Sequence, residues 1–216
     1  MRSDGDGAVA GGESGVRREP ATPARRAGLR EDLRIDARFG DVALILHSTW
    51  GLFSPREIDP GTRLLLDQVR PGVADRCLDL GCGYGPIGLC LAARAPAGSV
   101  MLVDRDFVAV DYARANARRN GLDQVEARLS NGFDQLEGMR FDLVASNLPA
   151  KVGREMLRIL IEDAHAHLEP GGRFVCVIIS GLRTAVGRDL ASVFGSCVKL
   201  KQGARHTVLE ARRALG

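Results

Sequence analysis

The sequence predicts an α/β fold built on a doubly wound, mostly parallel sheet, and three observations support this prediction. Short apolar runs alternate along the chain with longer segments whose apolar residues recur at helical spacing. Several short runs are apolar at consecutive positions, which is typical of strands buried on both faces. The last two predicted strands are separated only by residues 202–206, so they form a hairpin and one of them runs antiparallel. We therefore predict a Rossmann-like sheet with an antiparallel strand in its C-terminal hairpin.

Local patterns predict the elements that precede the alternating region. Residues 42–47 form a predicted strand, and residues 50–54 are expected to be the second arm of a hairpin with it. Asp59 or Thr62 can cap the following helix, which is predicted over residues 63–69 because its apolar residues share one face.

The alternating region supplies the remaining elements. Its predicted strands cover residues 77–80, 100–103, 125–129, 141–146 and 174–179, and two closing strands lie near 198–201 and 207–211. Its predicted helices cover residues 87–94, 107–120, 154–168 and 184–194.

Residues 1–35 are predicted to be a disordered tail, and residues 36–216 to form the folded domain. The tail is rich in Gly, Arg, Ala and Pro and has no hydrophobic periodicity. It therefore cannot bury enough apolar surface to offset the entropy of ordering. An RNA-contacting arm and an inert, Arg-rich leader are both open interpretations of this segment.

Bulk composition excludes several classes of protein. The first ten residues contain no apolar stretch of the secretory type, and no run approaches the roughly 18 apolar residues of a membrane span. The five cysteines form no CxxC pair and no Cys/His cluster, so we expect reduced thiols and no bound metal. We expect a cytoplasmic protein without a membrane partner. The net charge of +3 permits a polyanionic partner without implying one.

A glycine-rich loop after a short apolar strand is the most informative stretch. The strand contains an acidic residue, Asp79, near its end, and the loop that follows carries Gly81, Gly83 and Gly85. Glycines in such a loop let the backbone approach a ligand closely. Residues 83–88 match G-x-G-x-x-G, which alone is weak evidence for a dinucleotide fold. The stretch therefore predicts a site for a nucleoside-containing cofactor.

Three features argue against a dinucleotide, and the first of them favours a cationic cofactor. A carboxylate at Asp79 opposes the binding of a pyrophosphate, whereas it favours a sulfonium cation with an amino-acid tail. The motif begins near residue 77, behind an extra hairpin and helix, whereas a dinucleotide domain often starts its chain. The antiparallel hairpin at the end of the chain does not belong to the usual dinucleotide sheet.

The loop resembles motif I of class I S-adenosylmethionine (SAM) dependent methyltransferases in residues 79–85, Asp-Leu-Gly-Cys-Gly-Tyr-Gly. The resemblance covers about residues 42–213. It is closest to the small methyltransferase domain of ribosomal RNA guanine-N2 methyltransferases and their single-domain relatives. The other blocks that carry it are Gly-Leu-Phe-Ser at 51–54, Asp59-x-Gly-Thr62, Asp104, and Ser-Asn-Leu-Pro at 146–149 followed by Gly153.

The resemblance implies a site for S-adenosyl-L-methionine at the end of the first strand of the alternating region. Gly81, Cys82, Gly83 and Gly85 are expected to pass under the methionine moiety and the ribose. Asp79 is expected to face the amino-acid portion of the cofactor, through water or a backbone group.

Three further residues have implied roles toward the same cofactor. Asp104 is expected to accept hydrogen bonds from the ribose hydroxyls, with capping of the next helix as the alternative. Asn131 stands where the family often has an acid that meets the adenine amino group, with a simple turn as the alternative. Phe53 is expected to line the pocket or to belong to the core.

The resemblance also implies that Asn147, Leu148 and Pro149 form the catalytic motif at the end of the fourth strand. The side-chain carbonyl of Asn147 and the backbone carbonyl of Leu148 are expected to accept hydrogen bonds from the target amino group and so orient its lone pair. The family has Asn-Pro-Pro followed by an aromatic or another apolar residue. Here Leu148 replaces the first proline, and alanine follows Pro149, so an aromatic stacking platform is missing there. Trp50 and Phe53 are the candidates to supply it.

Together these inferences predict methyl transfer to an exocyclic amino nitrogen, with guanine N2 as the favoured acceptor and ribosomal RNA as the partner. One alternative is the same chemistry on a small molecule or a protein amide, which the missing aromatic and the mild charge favour. A second alternative is a SAM-binding but inactive partner protein, which is supported by the altered motif at residues 147–150. His206 lies in a small basic cluster, interpreted as a solvated turn with RNA contact as the alternative.

Overall fold

A computed structural model describes residues 31–216, so residues 1–30 of the tail predicted over residues 1–35 lie outside the described residues. The strands of the described chain are β1 (Leu33–Phe39), β2 (Val42–Ser48), β3 (Arg76–Leu80), β4 (Ser99–Asp104), β5 (Val125–Leu129), β6 (Phe141–Asn147), β7 (Leu168–Ile179), β8 (Val198–Gln202) and β9 (His206–Arg212). The helices are α1 (Pro60–Gln68), α2 (Pro86–Arg94), α3 (Phe107–Arg119), α4 (Arg154–Ala166) and α5 (Arg183–Phe194).

Seven strands form the central sheet in the order β5-β4-β3-β6-β7-β9-β8. The neighbours from β5 to β7 pair in parallel, and β9 pairs antiparallel with both β7 and β8. This confirms the predicted Rossmann-like sheet, mostly parallel, with an antiparallel strand in its C-terminal hairpin. The strand order reverses between β3 and β6, and the carboxyl ends of parallel strands leave a crevice at such a point.

Helices and a hairpin cover both faces of the sheet. Neighbouring residues of β3, Cys77 and Leu78, belong to different apolar layers, and both are fully buried. The layer of Cys77 includes residues of the β1–β2 hairpin, α1, α2 and α3, and the layer of Leu78 includes residues of α4 and α5. The consecutive apolar residues in the sequence therefore correspond to strands without a solvent-facing side.

The hairpin before the central sheet lies earlier in the chain than the sequence predicts. Residues 50–54 do not form a strand, and β2 instead pairs antiparallel with β1. Strand β1 begins at Leu33, within the segment expected to be disordered. The two strands are joined by Gly40 and Asp41, with φ of Gly40 at 66°, and a glycine at positive φ permits such a two-residue turn.

Asn116 of α3 and Asn120, the C-cap of that helix, attach this hairpin to the rest of the domain. Asn116 is fully buried, and its Nδ2 donates to the carbonyls of His47 at 2.8 Å and Tyr84 at 2.9 Å. Asn120 accepts from the backbone N–H of Ile45 at 2.9 Å and donates to its carbonyl at 2.8 Å. Because Tyr84 belongs to the glycine loop, Asn116 joins the hairpin, the helix and that loop into one unit.

Other features of the described residues bear on the sequence expectations. No helix in residues 31–216 is long and apolar enough to cross a membrane. Over the same range, no group of three or more His, Cys, Asp or Glu side chains could hold a metal ion. All five cysteines are free thiols.

Candidate active site

A cleft of about 850 Å³ opens where β3, β4 and β6 end. It is lined by the glycine loop, by the residues that follow these strands, and by the segment after β2. Three carboxylates line it: Asp59, Asp104 and Asp106. Among the described residues of the lining, Arg105 is the one Lys or Arg. The cleft therefore carries negative charge, which stabilises a cationic ligand.

The glycine loop presents its backbone to the cleft. Gly81, Gly83 and Gly85 have φ angles of 74°, 55° and 97°, in the region that favours glycine. The N–H groups of Gly81 and Cys82 both donate to the carbonyl of Val103 at 2.9 Å, which holds the loop against the end of β4. A Cβ atom at Gly81 or Gly83 would meet no atom within 4 Å. A ligand in the cleft can therefore approach the backbone of this loop closely.

Asp104, at the end of β4, is engaged by two backbone N–H groups. Its Oδ2 accepts from Gly83 at 2.9 Å, and its Oδ1 accepts from Asp106 at 2.9 Å. The cap of α3 is Asp106, whose side chain accepts from the N–H of Val108 at 2.9 Å. The capping role considered for Asp104 thus belongs to Asp106. Since each carboxylate oxygen has more than one acceptor position, Asp104 can still accept from hydroxyls of a ligand.

Asp79 lies beneath the glycine loop and is not among the residues that line the cleft. Its carboxyl is fully buried; Oδ2 accepts from the N–H of Gly88 at 2.7 Å, and Oδ1 has no partner among the described residues. Burial raises the pKa of Asp79 to about 7, against the effect of the Gly88 hydrogen bond and with a smaller contribution from the charge of Asp104. Asp79 therefore holds the first turn of α2, and its direct contact with a cofactor stays a prediction.

Asn131 and Phe53 both line the cleft. The Nδ2 of Asn131 donates to Oδ2 of Asp134 at 3.3 Å, which leaves Oδ1 as the atom that can accept from a ligand. Phe53 is 67% exposed, and this exposure excludes a place in the core.

Asn147 ends β6 with its amide held in one orientation. Its Nδ2 donates to Oδ2 of Asp59 at 2.9 Å and to Oγ1 of Thr62 at 3.1 Å. Because a carboxylate can only accept, the amide nitrogen rather than the oxygen must face Asp59. Within residues 31–216, no donor forms a hydrogen bond to Oδ1 of Asn147. This oxygen is also absent from the buried polar atoms that lack a partner, so it is accessible. The amide therefore offers a free carbonyl oxygen to a ligand in the cleft.

The two residues after Asn147 differ in what constrains them. The N–H of Leu148 donates to the carbonyl of Val177 at 3.0 Å, and the Leu148 side chain is buried. A proline at this position has no N–H, so this hydrogen bond takes the place of the proline ring as a constraint on the turn. Pro149 is exposed and lines the cleft.

Of the two aromatic candidates for a stacking platform, only Phe53 is open to the cleft. Nε1 of Trp50 donates to Oε2 of Glu31 at 2.9 Å, and the guanidinium of Arg56 lies 4.4 Å from the centroid of its ring. Trp50 is absent from the cleft lining, whereas Phe53 is part of it. The hydroxyl of Tyr84 donates to the carbonyl of Ser54 at 3.1 Å, which ties the Phe53 segment to the glycine loop.

The cleft also contains Asp59, Thr62 and His206, for which the sequence analysis predicts no role in the cofactor or catalytic site. Asp59 is indeed the predicted helix cap, accepting from the N–H of Thr62 at 3.0 Å, but the same oxygen also receives Asn147. His206, interpreted as part of a solvated turn, opens β9 opposite Ile179 and lines the cleft. The spacing of Asp59 and Thr62 signals the cap, whereas no local pattern signals a contact with a residue 88 positions away.

Known proteins resemble this chain in sequence and in fold. The profile of the methyltransferase small domain family matches residues 43–210. The uncharacterized protein YbxB of Bacillus subtilis is 35% identical over 130 residues, which make up 59% of this chain and 65% of that protein. The ribosomal RNA small subunit methyltransferase C of Haemophilus influenzae is 38% identical over 133 residues, 60% of this chain and 40% of that protein.

One similar solved structure is that of a 16S rRNA N2 methyltransferase (RsmC) of T. thermophilus, in complex with AdoMet and guanosine. It has a TM-score of 0.75 and 30% sequence identity, and the match covers 84% of this chain and 50% of that chain. The chain thus spans between 40% and 65% of the length of these three relatives.

Proposed function

Because the chain belongs to the methyltransferase small domain family, we propose that it transfers the methyl group of SAM to an exocyclic amino nitrogen. The orientation of the Asn147 amide carries this proposal. Asp59 and Thr62 hold its nitrogen, so its carbonyl oxygen is left for an N–H donor in the cleft. An amide carbonyl suits a neutral amino group, since it accepts a hydrogen bond without removing the proton beforehand.

The residues that follow β3, β4 and β5 fit SAM, which when bound supplies an electrophilic methyl group on a sulfonium. The loop at Gly81 and Gly83 is open to close approach. Asp104 offers carboxylate lone pairs to two adjacent ribose hydroxyls, and Oδ1 of Asn131 offers an acceptor to an amino group. The acidic lining of the cleft stabilises the positive charges of the sulfonium and of the amino-acid portion.

In the proposed reaction the chain positions the acceptor nitrogen. Oδ1 of Asn147 and the backbone carbonyl of Leu148 accept the two N–H groups of the acceptor, which directs its lone pair to the methyl carbon. As the new N–C bond forms, the bond between the methyl carbon and the sulfonium sulfur would break, leaving its electron pair on sulfur as the neutral thioether of S-adenosylhomocysteine. The acceptor nitrogen gains positive charge, and the two carbonyl dipoles stabilise that charge. One proton of the nitrogen is then acidic enough to pass to water at the mouth of the cleft.

For the acceptor we propose guanine in ribosomal RNA, methylated at N2. The T. thermophilus relative is an N2 methyltransferase of 16S rRNA whose structure contains guanosine, which supports this choice. Phe53, exposed at the cleft, offers a face on which a planar base can stack. A base in structured RNA must leave its stack to enter such a cleft. With ribosomal RNA as its proposed partner, the protein is expected in the cytoplasm.

The test is transfer of a labelled methyl group from SAM to naked ribosomal RNA, to small ribosomal subunits and to free guanosine. Digestion of the RNA to nucleosides followed by mass spectrometry is expected to reveal N2-methylguanosine. Asn147→Ala is expected to lower kcat about 100-fold or more while the SAM dissociation constant stays within about twofold. Asn120→Ala is the matched control, because that asparagine lies outside the cleft, and it should stay active.

The same assay separates the two alternatives. Methylation of small amines or peptide amides, with no product in RNA, supports a small-molecule or protein-amide enzyme. SAM binding without methylation of any acceptor supports an inactive partner protein. RNA binding that weakens steeply as salt increases is expected for an RNA substrate, and a flat salt dependence contradicts it.

A further inference from the structure

We infer that Asp59 and Thr62 are positioning residues that orient and polarise the Asn147 amide for the reaction. This inference rests on the proposed function, because the amino group that Asn147 would receive is itself proposed. The contacts that carry it are the hydrogen bonds from Asn147 Nδ2 to Asp59 Oδ2, at 2.9 Å, and to Thr62 Oγ1, at 3.1 Å.

The two acceptors match the two hydrogens of the amide nitrogen. With both hydrogens engaged, the amide plane of Asn147 is fixed and cannot rotate to present its nitrogen to the cleft. Thr62 is 4% exposed, and as a β-branched residue it has a restricted χ1, so its hydroxyl is held in place. The Asp59 carboxylate is held as well, because its Oδ2 also accepts the N–H of Thr62 at 3.0 Å.

A glycine makes room for this arrangement at the start of α1. A Cβ atom at Gly61 would lie 2.9 Å from Oδ2 of Asp59 and 2.9 Å from Cδ2 of His206. Glycine therefore lets the Asp59 carboxylate and the His206 ring approach the same turn from different elements. The orientation of Asn147, at the end of β6, is thus set by residues at the start of α1, and the His206 ring of β9 lies against the same turn.

The charge of Asp59 adds to its effect on geometry. A carboxylate that accepts from an amide nitrogen increases the electron density on the amide oxygen, because charge-assisted hydrogen bonds polarise their neighbours. Oδ1 of Asn147 is then a stronger acceptor when the substrate nitrogen becomes positive. The neutral amino group gains less from this polarisation than the transition state does. The effect is therefore expected in kcat more than in KM.

Two substitutions of Asp59 separate orientation from charge. Asp59→Ser keeps a helix-capping side chain but is too short to reach Asn147, and Asp59→Asn keeps the shape and one acceptor oxygen without the charge. We expect kcat to fall about 10-fold in Asp59→Asn and about 100-fold in Asp59→Ser, with SAM affinity within about twofold of wild type. Glu57→Gln is the matched control, since Glu57 is an exposed neighbouring carboxylate outside the cleft lining, and it should leave kcat unchanged.

Thr62 provides a second pair of variants that keeps the inference falsifiable if Asp59→Ser fails to fold. Thr62→Val removes the hydroxyl and keeps the shape, and we expect kcat to fall several-fold. Thr62→Ser restores an acceptor oxygen and is expected to recover most of the wild-type kcat. A purely structural role of Thr62 would instead lower the melting temperature without this recovery pattern in kcat.

A spectroscopic measurement makes the outcome independent of activity. The side-chain amide signal of Asn147 in a ¹H–¹⁵N correlation spectrum is assigned by its loss in Asn147→Ala. We expect this signal to shift strongly in Asp59→Ser, less in Asp59→Asn, and not in Glu57→Gln. An Asn147 signal that is unchanged in Asp59→Ser overturns the inference. This result can be obtained even if the wild-type protein methylates no acceptor, in which case the proposed function has failed separately.

Two kinetic results also overturn the inference while leaving the proposed function intact. In the first, the wild type is active and Asn147→Ala is inactive, but Asp59→Ser and Thr62→Val both keep the wild-type kcat. The other is a loss in Asp59→Ser that is matched by an equal loss of SAM affinity, which assigns Asp59 to cofactor binding.

Discussion

Replacing Asp79 with asparagine tests how burial controls the ionisation of the acidic residue beneath the glycine loop. The carboxyl is fully buried, one of its oxygens has no partner among the described residues, and burial raises its pKa from 3.8 to about 7. The folded protein therefore holds this proton more tightly than the unfolded chain does. The contribution of Asp79 to stability is full below about pH 4 and is lost as the pH rises to about 7.

The size of this effect follows from the two pKa values of Asp79. A pKa difference of about 3 corresponds to about 4 kcal/mol in the free energy of unfolding. The loss proceeds at about 1.4 kcal/mol per pH unit between the two values and levels off above the higher one. In Asp79→Asn no group titrates at this site, so the free energy of unfolding of the variant lacks this pH-dependent contribution. Its amide NH₂ group, in place of the unpartnered oxygen, adds a constant destabilisation of about 1–3 kcal/mol.

The assay is urea unfolding of both proteins between pH 5 and pH 8 at constant ionic strength, without added ligand. The stability of wild type relative to Asp79→Asn is expected to fall by about 3 kcal/mol across this range. Groups that titrate equally in both proteins cancel in this difference. Bound SAM is expected to reduce the slope, because its positive charges favour the ionised carboxylate. A difference that stays constant or rises with pH refutes the reasoning.

Three further predictions concern the cleft. Asp104→Ala is expected to weaken the binding of SAM and S-adenosylhomocysteine alike by about 10- to 100-fold, because charged hydrogen bonds to the ribose are lost; unchanged affinity in calorimetric titration argues against that role. Gly83→Val forces a β-branched residue to a φ of 55° and puts its side chain into the cleft. Circular dichroism should find it folded and calorimetry should detect no SAM binding, so normal binding would mean that the cofactor lies elsewhere. Phe53→Ala is expected to raise KM for RNA about 10-fold through loss of base stacking and to leave SAM affinity unchanged, with recovery in Phe53→Tyr; a wild-type KM in the alanine variant removes Phe53 from the acceptor site.

The proposed cofactor side of the site is largely predictable from sequence because its signals are local. The motif over residues 79–85 spans the end of β3 and the loop after it, Asp104 ends β4, and the carboxyl ends of parallel strands meet at one edge. The structure brings Gly83 N to 2.9 Å from Oδ2 of Asp104 accordingly. The buried position of the Asp79 carboxyl is not predictable in this way, since it depends on how α2 packs over β3.

The composition of the N-terminal region hides β1 from sequence analysis. Leu33, Ile35, Ala37 and Phe39 alternate with polar residues, a spacing that predicts a strand when it is considered alone. The preceding thirty residues are rich in Gly, Arg, Ala and Pro, so a window that includes them has little periodicity. The pairing of β1 with β2 then decides which residues are free to border the cleft, because the segment over 50–54 is released from the hairpin.

On the proposed acceptor side, Asp59 and Thr62 are hard to predict as site residues for a different physical reason: they already have sufficient local roles. Asp59 caps a helix, and that role alone accounts for an acid or another short polar side chain there. The structure gives one oxygen of Asp59 two functions, since Oδ2 accepts from both the N–H of Thr62 and the amide of Asn147, 88 residues away. Substitutions that are equivalent as helix caps are therefore not equivalent for the cleft. A serine at this position keeps the cap of α1 but releases the Asn147 amide. Asp59→Ser is therefore expected to lower kcat much more than it lowers the free energy of unfolding, a difference that is not expected at a helix cap with a single partner.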